Sequence, residues 1–194
     1  MSIDEICERF NIKDYTINDD DSIDVNDHVN LFNLVLTELP LKFNKVSGNF
    51  YCKGNKLTTL KGSPIEVGET FNCSYNELTS LEHSPIKVSG DFRCTDNNLT
   101  DLKGCPKFVR DDFFCSNNNI INLKHTPDNF KNFTCNDTPI GSMFIQVDYD
   151  FIDAFKRFKI IEDGKVNLKR LKYIMGIFDK PIIIKRIEKY YKIV

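Results

Sequence analysis

Phenylalanine stands at Phe50, Phe71, Phe92, Phe113 and Phe133, at intervals of 21, 21, 21 and 20 residues. A cysteine follows each by two places, at Cys52, Cys73, Cys94, Cys115 and Cys135. Asn55, Asn76, Asn97 and Asn118 come three residues later. Leu57, Leu78, Leu99, Ile120 and Ile140 follow, then Leu60, Leu81, Leu102 and Leu123. Pro64, Pro85, Pro106 and Pro127, with Val46, Val67, Val88 and Val109, complete the unit. A period this short cannot enclose a core of its own. Each unit must be one turn of a coil that buries its apolar side by stacking on the next.

The unit reads F-x-C-x-x-N-x-L-x-x-L-x-x-x-P-x-x-V. Phe and Cys at i and i+2 share one face of an extended segment, so each unit supplies a short strand. Successive strands then stack in parallel. The later Leu and Val carry the buried face along the returning side, where Pro and Gly62 or Gly104 steer the chain into the next strand. An Asn in every turn can satisfy backbone groups inside the coil, and a column of them predicts an internal hydrogen-bond ladder. Counting back one unit gives Val29, Leu31, Leu36, Leu39 and Val46, a degenerate first turn. Leu31 in the cysteine slot shows that the slot wants an apolar filler. Thr138 replaces the Asn at the far end, and the pattern dissolves near Phe144.

The core F-x-C-x-x-N-x-L-x-x-L resembles the leucine-rich-repeat core L-x-L-x-x-N-x-L, with Phe and Cys in place of the first two leucines. The short period and the Pro are closer to the brief bacterial class of that repeat. The run N-x-L-T-x-L-x-G-x-P-x-x-V-x-G-x-F-x-C, as in Asn76–Cys94 and Asn97–Cys115, is similar to repeat proteins encoded by tailed bacteriophages and some bacteria. Ile17–Val25 and the basic stretch Phe151–Met175 resemble the opening and closing segments of those proteins. The resemblance covers about residues 29–144 and implies no reaction. It implies a phage or bacterial origin and little else; the function expected on other grounds is protein–protein interaction, as a phage-encoded factor that binds and modulates a bacterial host protein.

The expected fold is therefore a mainly β repeat solenoid with a parallel leucine-rich-repeat-like sheet of about 5–6 short strands. Three segments follow from charge. Residues 1–28 hold nine Asp/Glu against two Lys/Arg, a net −7; residues 29–144 hold twelve of each; residues 145–194 are net +5. The first reads as an acidic α/β cap, with Ser2-x-x-Glu5 as a capping box before Ile3, Ile6, Cys7 and Phe10. The last reads as a basic, mostly helical cap or docking segment. No apolar run approaches the ~18 residues of a membrane span, and no basic region precedes an apolar stretch as in a secretory signal. A cytoplasmic protein with free thiols is the expectation, since seven cysteines is an odd number.

Reactive chemistry finds little support. No C-x-x-C occurs, and His28, His83 and His125 lie outside the cysteine column, so zinc spacing is absent. Asp19–Asp24 lacks the Gly and Glu of a calcium loop. N-x-S/T matches such as Asn72-Cys73-Ser74, Asn98-Leu99-Thr100 and Asn132-Phe133-Thr134 carry no weight without a signal. No nucleophile–base set or phosphate loop can be assembled, so neither an enzyme nor a bound cofactor or metal is expected.

What varies between units is the outward column. Tyr51, Tyr75, Arg93 and Phe114, with Lys53, Asp91 and Asp112, compose a candidate partner-binding face, because exposed aromatics and Arg among small polar residues mark interaction surfaces. Such a face offers only about 400 Å² against ~800 Å² per partner in an ordinary interface, so a flank must take part. Lys165, Lys169, Arg170 and Lys172 form a possible basic docking set. A protein partner is favoured; self-association is the alternative, and nucleic acid is disfavoured by the acidic N-terminal segment.

Overall fold

A computed structural model describes residues 1–144 and 146–194. It is a β-solenoid. Helix α1 (Ile3–Arg9) opens the chain on its predicted capping box: the Glu5 N–H donates to Ser2 Oγ at 3.2 Å, and the Ser2 N–H to Glu5 Oε2 at 2.8 Å. A hairpin follows, β1 (Tyr15–Ile17) antiparallel to β2 (Ser22–Val25). The coil then runs through β3 (Val29–Asn30), β4 (Lys42–Val46), β5 (Phe50–Tyr51), β6 (Glu66–Val67), β7 (Phe71–Asn72), β8 (Lys87–Val88), β9 (Phe92–Arg93), β10 (Phe108–Val109), β11 (Phe113–Phe114) and β12 (Asn132–Thr134).

Strands β3, β5, β7, β9, β11 and β12 stack in parallel, with Phe50, Phe71, Phe92, Phe113 and Phe133 in exact register. The expected parallel sheet is present. It has a counterpart that the repeat pattern alone did not show. Strands β2, β4, β6, β8 and β10 form a second parallel sheet on the returning side, with Val46, Val67 and Val88 in register. Most strands of this valine sheet are two residues long and bury a single side chain, so no alternation betrays them.

The interior is a set of columns. Rings of Phe50, Phe71, Phe92, Phe113 and Phe133 stack at 5.4, 5.4, 5.1 and 5.4 Å. All five are fully buried, worth about 1.5–3 kcal/mol each in area removed from water. Phe43 closes the lower end edge-on at 5.0 Å, and Phe130 lies against Phe133 at the upper end. The repeated Cys and Leu columns are buried behind them.

After a short 3-10 turn, Ile140–Ser142, the chain adds β13 (Gln146–Asp148) antiparallel to β12. Helix α2 (Tyr149–Arg157) starts on Asp148, whose Oδ1 accepts from the Phe151 N–H at 2.9 Å. Then come β14 (Ile161–Glu162), β15 (Lys165–Val166), α3 (Leu168–Ile177), α4 (Ile184–Glu188) and β16 (Lys192–Ile193). The last three strands make a small sheet of their own, so the basic segment is mixed in structure. Phe144 meets Phe151 and Phe155 edge-on, joining this segment to the solenoid core. Among the described residues no helix is long and apolar enough to cross a membrane.

Candidate functional site: the outer face of the phenylalanine sheet

With Phe and Cys pointing inward, the residue between them must point outward. Pairing aligns Tyr51, Asn72, Arg93, Phe114 and Thr134 in one row across five strands. All five are partly exposed. The Arg93 guanidinium lies 4.4 Å from the Phe114 ring centre, and Asp91 Oδ2 accepts from its Nη2 at 2.7 Å. A guanidinium held over a ring and tethered on one side has little freedom left to lose on binding.

Two of the acidic residues expected on this face do other work. Asp91 Oδ1 accepts from the Asp112 N–H at 3.1 Å, and Asp112 Oδ1 accepts from the Asn132 N–H and Nδ2 at 3.2 and 2.9 Å. Asn49 Oδ1 takes the Thr70 N–H likewise at 2.9 Å. Between Asn49 and Asn132 these side chains stitch three of the four successive pairs of turns at the corner before the strand, the Thr70–Asp91 step lacking such a bond, so Asp91 and Asp112 serve the coil first. Lys53 leans from its corner over the Phe32 ring, at 4.8 Å.

Tyr75 is placed differently from Tyr51. It follows the strand, at a corner where Asn33, Gly54, Tyr75, Asp96, Asn117 and Asp137 all have positive φ, from 52° to 70°. Gly, Asn and Asp tolerate that region; a tyrosine is strained there. Its side chain is 61% exposed and stands at the margin of the face. Tyr75→Asn should raise stability by about 1 kcal/mol, because the strain is relieved and no buried contact is lost. Urea unfolding measures this; a loss of stability would show that Tyr75 packs in a way its exposure conceals.

No family model, curated protein or solved structure matches the chain. The site must therefore be read from its own residues.

The basic set is dispersed. Lys165 lies on β15 beside Lys192 of β16, and Lys169, Arg170 and Lys172 lie on α3. Arg170 is engaged within the segment, donating to Glu162 Oε2 at 3.0 Å and to the Lys159 carbonyl at 3.2 Å. Lys165, Lys169 and Lys172 remain exposed. One feature escaped the sequence: a cleft of about 660 Å³ between the last turn and the C-terminal segment, lined by Ile121, Lys124, Phe155, Lys156, Lys159 and Tyr190 among others. It exists because the tail folds back, with the Tyr191 hydroxyl donating to the Ile121 carbonyl at 2.9 Å. A contact spanning so much chain leaves no local signal.

Among the described residues no group of three or more His, Cys, Asp or Glu could hold a metal ion. All seven cysteines are free. Burial pushes Cys52 and Cys135 up to about 12, and Cys73, Cys94 and Cys115 well above the ordinary thiol range. Cys105, whose Sγ donates to the His125 carbonyl at 2.7 Å, is also pushed to about 12 by burial. Cys7 is raised for the same reason. A protonated, enclosed thiol is a poor nucleophile and a poor metal ligand.

Proposed function

We propose that this protein is a leucine-rich-repeat-like, non-enzymatic interaction module that binds another protein through the outer face of its phenylalanine sheet. The Arg93–Phe114 pair carries the reading: a guanidinium stacked at 4.4 Å on a ring and braced by Asp91. Arg and aromatic side chains dominate the energetics of protein interfaces, and this pair is already in place. Support also comes from variation. The inward columns repeat almost unchanged, while the outward row changes from Tyr51 to Asn72 to Arg93 to Phe114 to Thr134. A coil needs its inside to repeat; only a specific surface needs its outside to differ.

The similarity of the repeat phrasing to proteins of tailed phages makes a bacterial host protein the partner to seek first. The test is capture from bacterial lysate on immobilised protein, followed by affinity measurement on the captured species. The double substitution Arg93→Ala/Phe114→Ala should weaken binding by about 30-fold or more, on the order of 2 kcal/mol, with unchanged circular dichroism. Undiminished binding by that variant would move the site elsewhere, and the exposed Lys165, Lys169 and Lys172 would be next.

A further inference from the structure

The two sheets begin differently. The valine sheet starts with β1, laid antiparallel along β2. Strand β3 starts the phenylalanine sheet and, among the described residues, pairs on one side only, with β5. In a parallel ladder alternate residues face opposite neighbours. The N–H groups of Val29, Leu31 and Asn33 go to the carbonyls of Asn49, Tyr51 and Lys53 in the next turn. The equivalent carbonyls of the first turn, those of His28, Asn30 and Phe32, therefore point out of the sheet edge, as does the Asn30 N–H. His28, Asn30 and Phe32 are exposed. With the Phe32 N–H held by Asn30 Oδ1 at 3.2 Å, the edge presents three carbonyls and the Asn30 N–H, spaced for one more strand.

A second observation lies in the same turn. Phe32, Leu34 and Val35 are 50%, 44% and 64% exposed. Leu34 occupies the slot held elsewhere by the buried Asn, and Val35 has φ 58°. A β-branched residue is strained in that region, yet here its side chain is left largely in water. Next to the open edge the chain thus displays three large apolar groups, one of them at a conformational cost. The residues leading into β3 supply the charge: residues 1–28 are net −7.

We infer that the free edge of β3 is a docking edge for an extended segment of a protein partner carrying alternating apolar and basic side chains. Backbone pairing along His28–Phe32 would supply affinity. Apolar groups of the segment would cover Phe32, Leu34 and Val35, and its basic groups would meet the acidic cap. A second copy of this chain fits less well, because head-to-head pairing would bring two −7 segments together. The inference rests on the protein-binding reading and answers its shortage of area. Strand β5 carries Tyr51 and is the neighbour of β3, so a strand added at the edge continues the sheet whose outer face bears Arg93 and Phe114.

The probe is a labelled eight-residue peptide of alternating lysine and valine, with two companions: its glutamate–valine counterpart, and the same peptide N-methylated at every second amide. The lysine–valine peptide should bind and slow hydrogen exchange at the Asn30 amide, while both companions bind at least tenfold more weakly. Asn30→Pro removes the outward N–H from a terminal strand, where proline is tolerated, and should also weaken binding at least tenfold. If that variant unfolds, Phe32→Ser/Val35→Ser, confined to exposed side chains, should weaken binding at least fivefold. Equal binding of the methylated and unmethylated peptides, or no binding of the lysine–valine peptide, overturns the inference. A wild-type dimer in sedimentation that Asn30→Pro abolishes overturns the peptide occupant in favour of a second copy. Arg93→Ala/Phe114→Ala should leave peptide binding intact, so failure of the sheet-face reading is separable from failure of the edge.

Discussion

Asn97→Ala is expected to lower stability by about 3–5 kcal/mol, a large effect for a side chain with no charge and no apolar surface. Asn97 Oδ1 accepts from the Leu78 N–H at 3.0 Å in the turn below. Its Nδ2 donates to the carbonyls of Cys73, also in the turn below, and of Cys94 and Thr95 in its own, at 3.1, 3.1 and 3.3 Å. Alanine leaves several of these buried groups without their partner. Asn76 and Asn118 repeat the arrangement on the turns to either side. Chemical unfolding of Asn97→Ala beside Asn98→Ala provides the comparison, since the neighbouring Asn98 is exposed and should change stability by no more than about 0.5 kcal/mol. Similar losses at both positions would mean that the ladder contributes little.

Raising the pH should unfold the protein cooperatively somewhere between pH 9 and 11. The main cause is the column of Cys52, Cys73, Cys94, Cys115 and Cys135, all free and buried, with Cys105, pushed up by burial as well, adding to it. In the unfolded chain these thiols ionise near their ordinary value of 9.0; in the fold, burial holds the proton to about 12 at Cys52 and Cys135. It holds it well above 9.0 at Cys73, Cys94 and Cys115. Below pH 9 both states keep their protons and the column adds no pH dependence. Above it the unfolded state has lost protons that the folded state retains, so stability falls as pH rises. Each thiol contributes about 1.4 kcal/mol per pH unit, and five together about 7. Cys73→Ala/Cys115→Ala should reduce that slope by about 3 kcal/mol per pH unit. An unchanged slope in this variant would assign the transition to tyrosines and lysines instead.

The coil was legible because its inside is written in columns. Phe, Cys, Asn and Leu each hold one slot, and a slot filled four or five times over can only be a stacked interior. The valine sheet was not legible as strands, since Lys87–Val88 or Glu66–Val67 offers one buried residue and no alternation, although the valine keeps the 21-residue period. A signal was present but unread at the left-handed corner. Gly54, Asp96, Asn117 and Asp137 are residues that accept positive φ, and Tyr75 in the same column obscured them. Asp163 and Gly164, with φ 49° and 70°, are likewise the Asp-Gly pair that favours a two-residue hairpin, here joining β14 to β15. The candidate face was half legible. Alternation along a strand places Tyr51, Arg93 and Phe114 outward, but cannot reveal that the carboxylates of Asp91 and Asp112 are already committed to backbone N–H groups of the following turn. Nor could it reveal an edge, which depends on what fails to pair.

The stacked rings have a consequence for how the chain finds its own alignment. Phe71 fits over Phe50 much as Phe92 fits over Phe71, so a chain that skipped one whole turn, looping out 21 residues, would find an almost identical seat. The middle of the molecule cannot tell the two arrangements apart. The ends can. Leu31 stands where a cysteine should, Leu34 where an asparagine should, and Thr138 closes its own turn by donating to the Cys135 carbonyl and accepting from the Gly141 N–H. These misfit units act as bookends: they make one count of turns correct and every other count wrong.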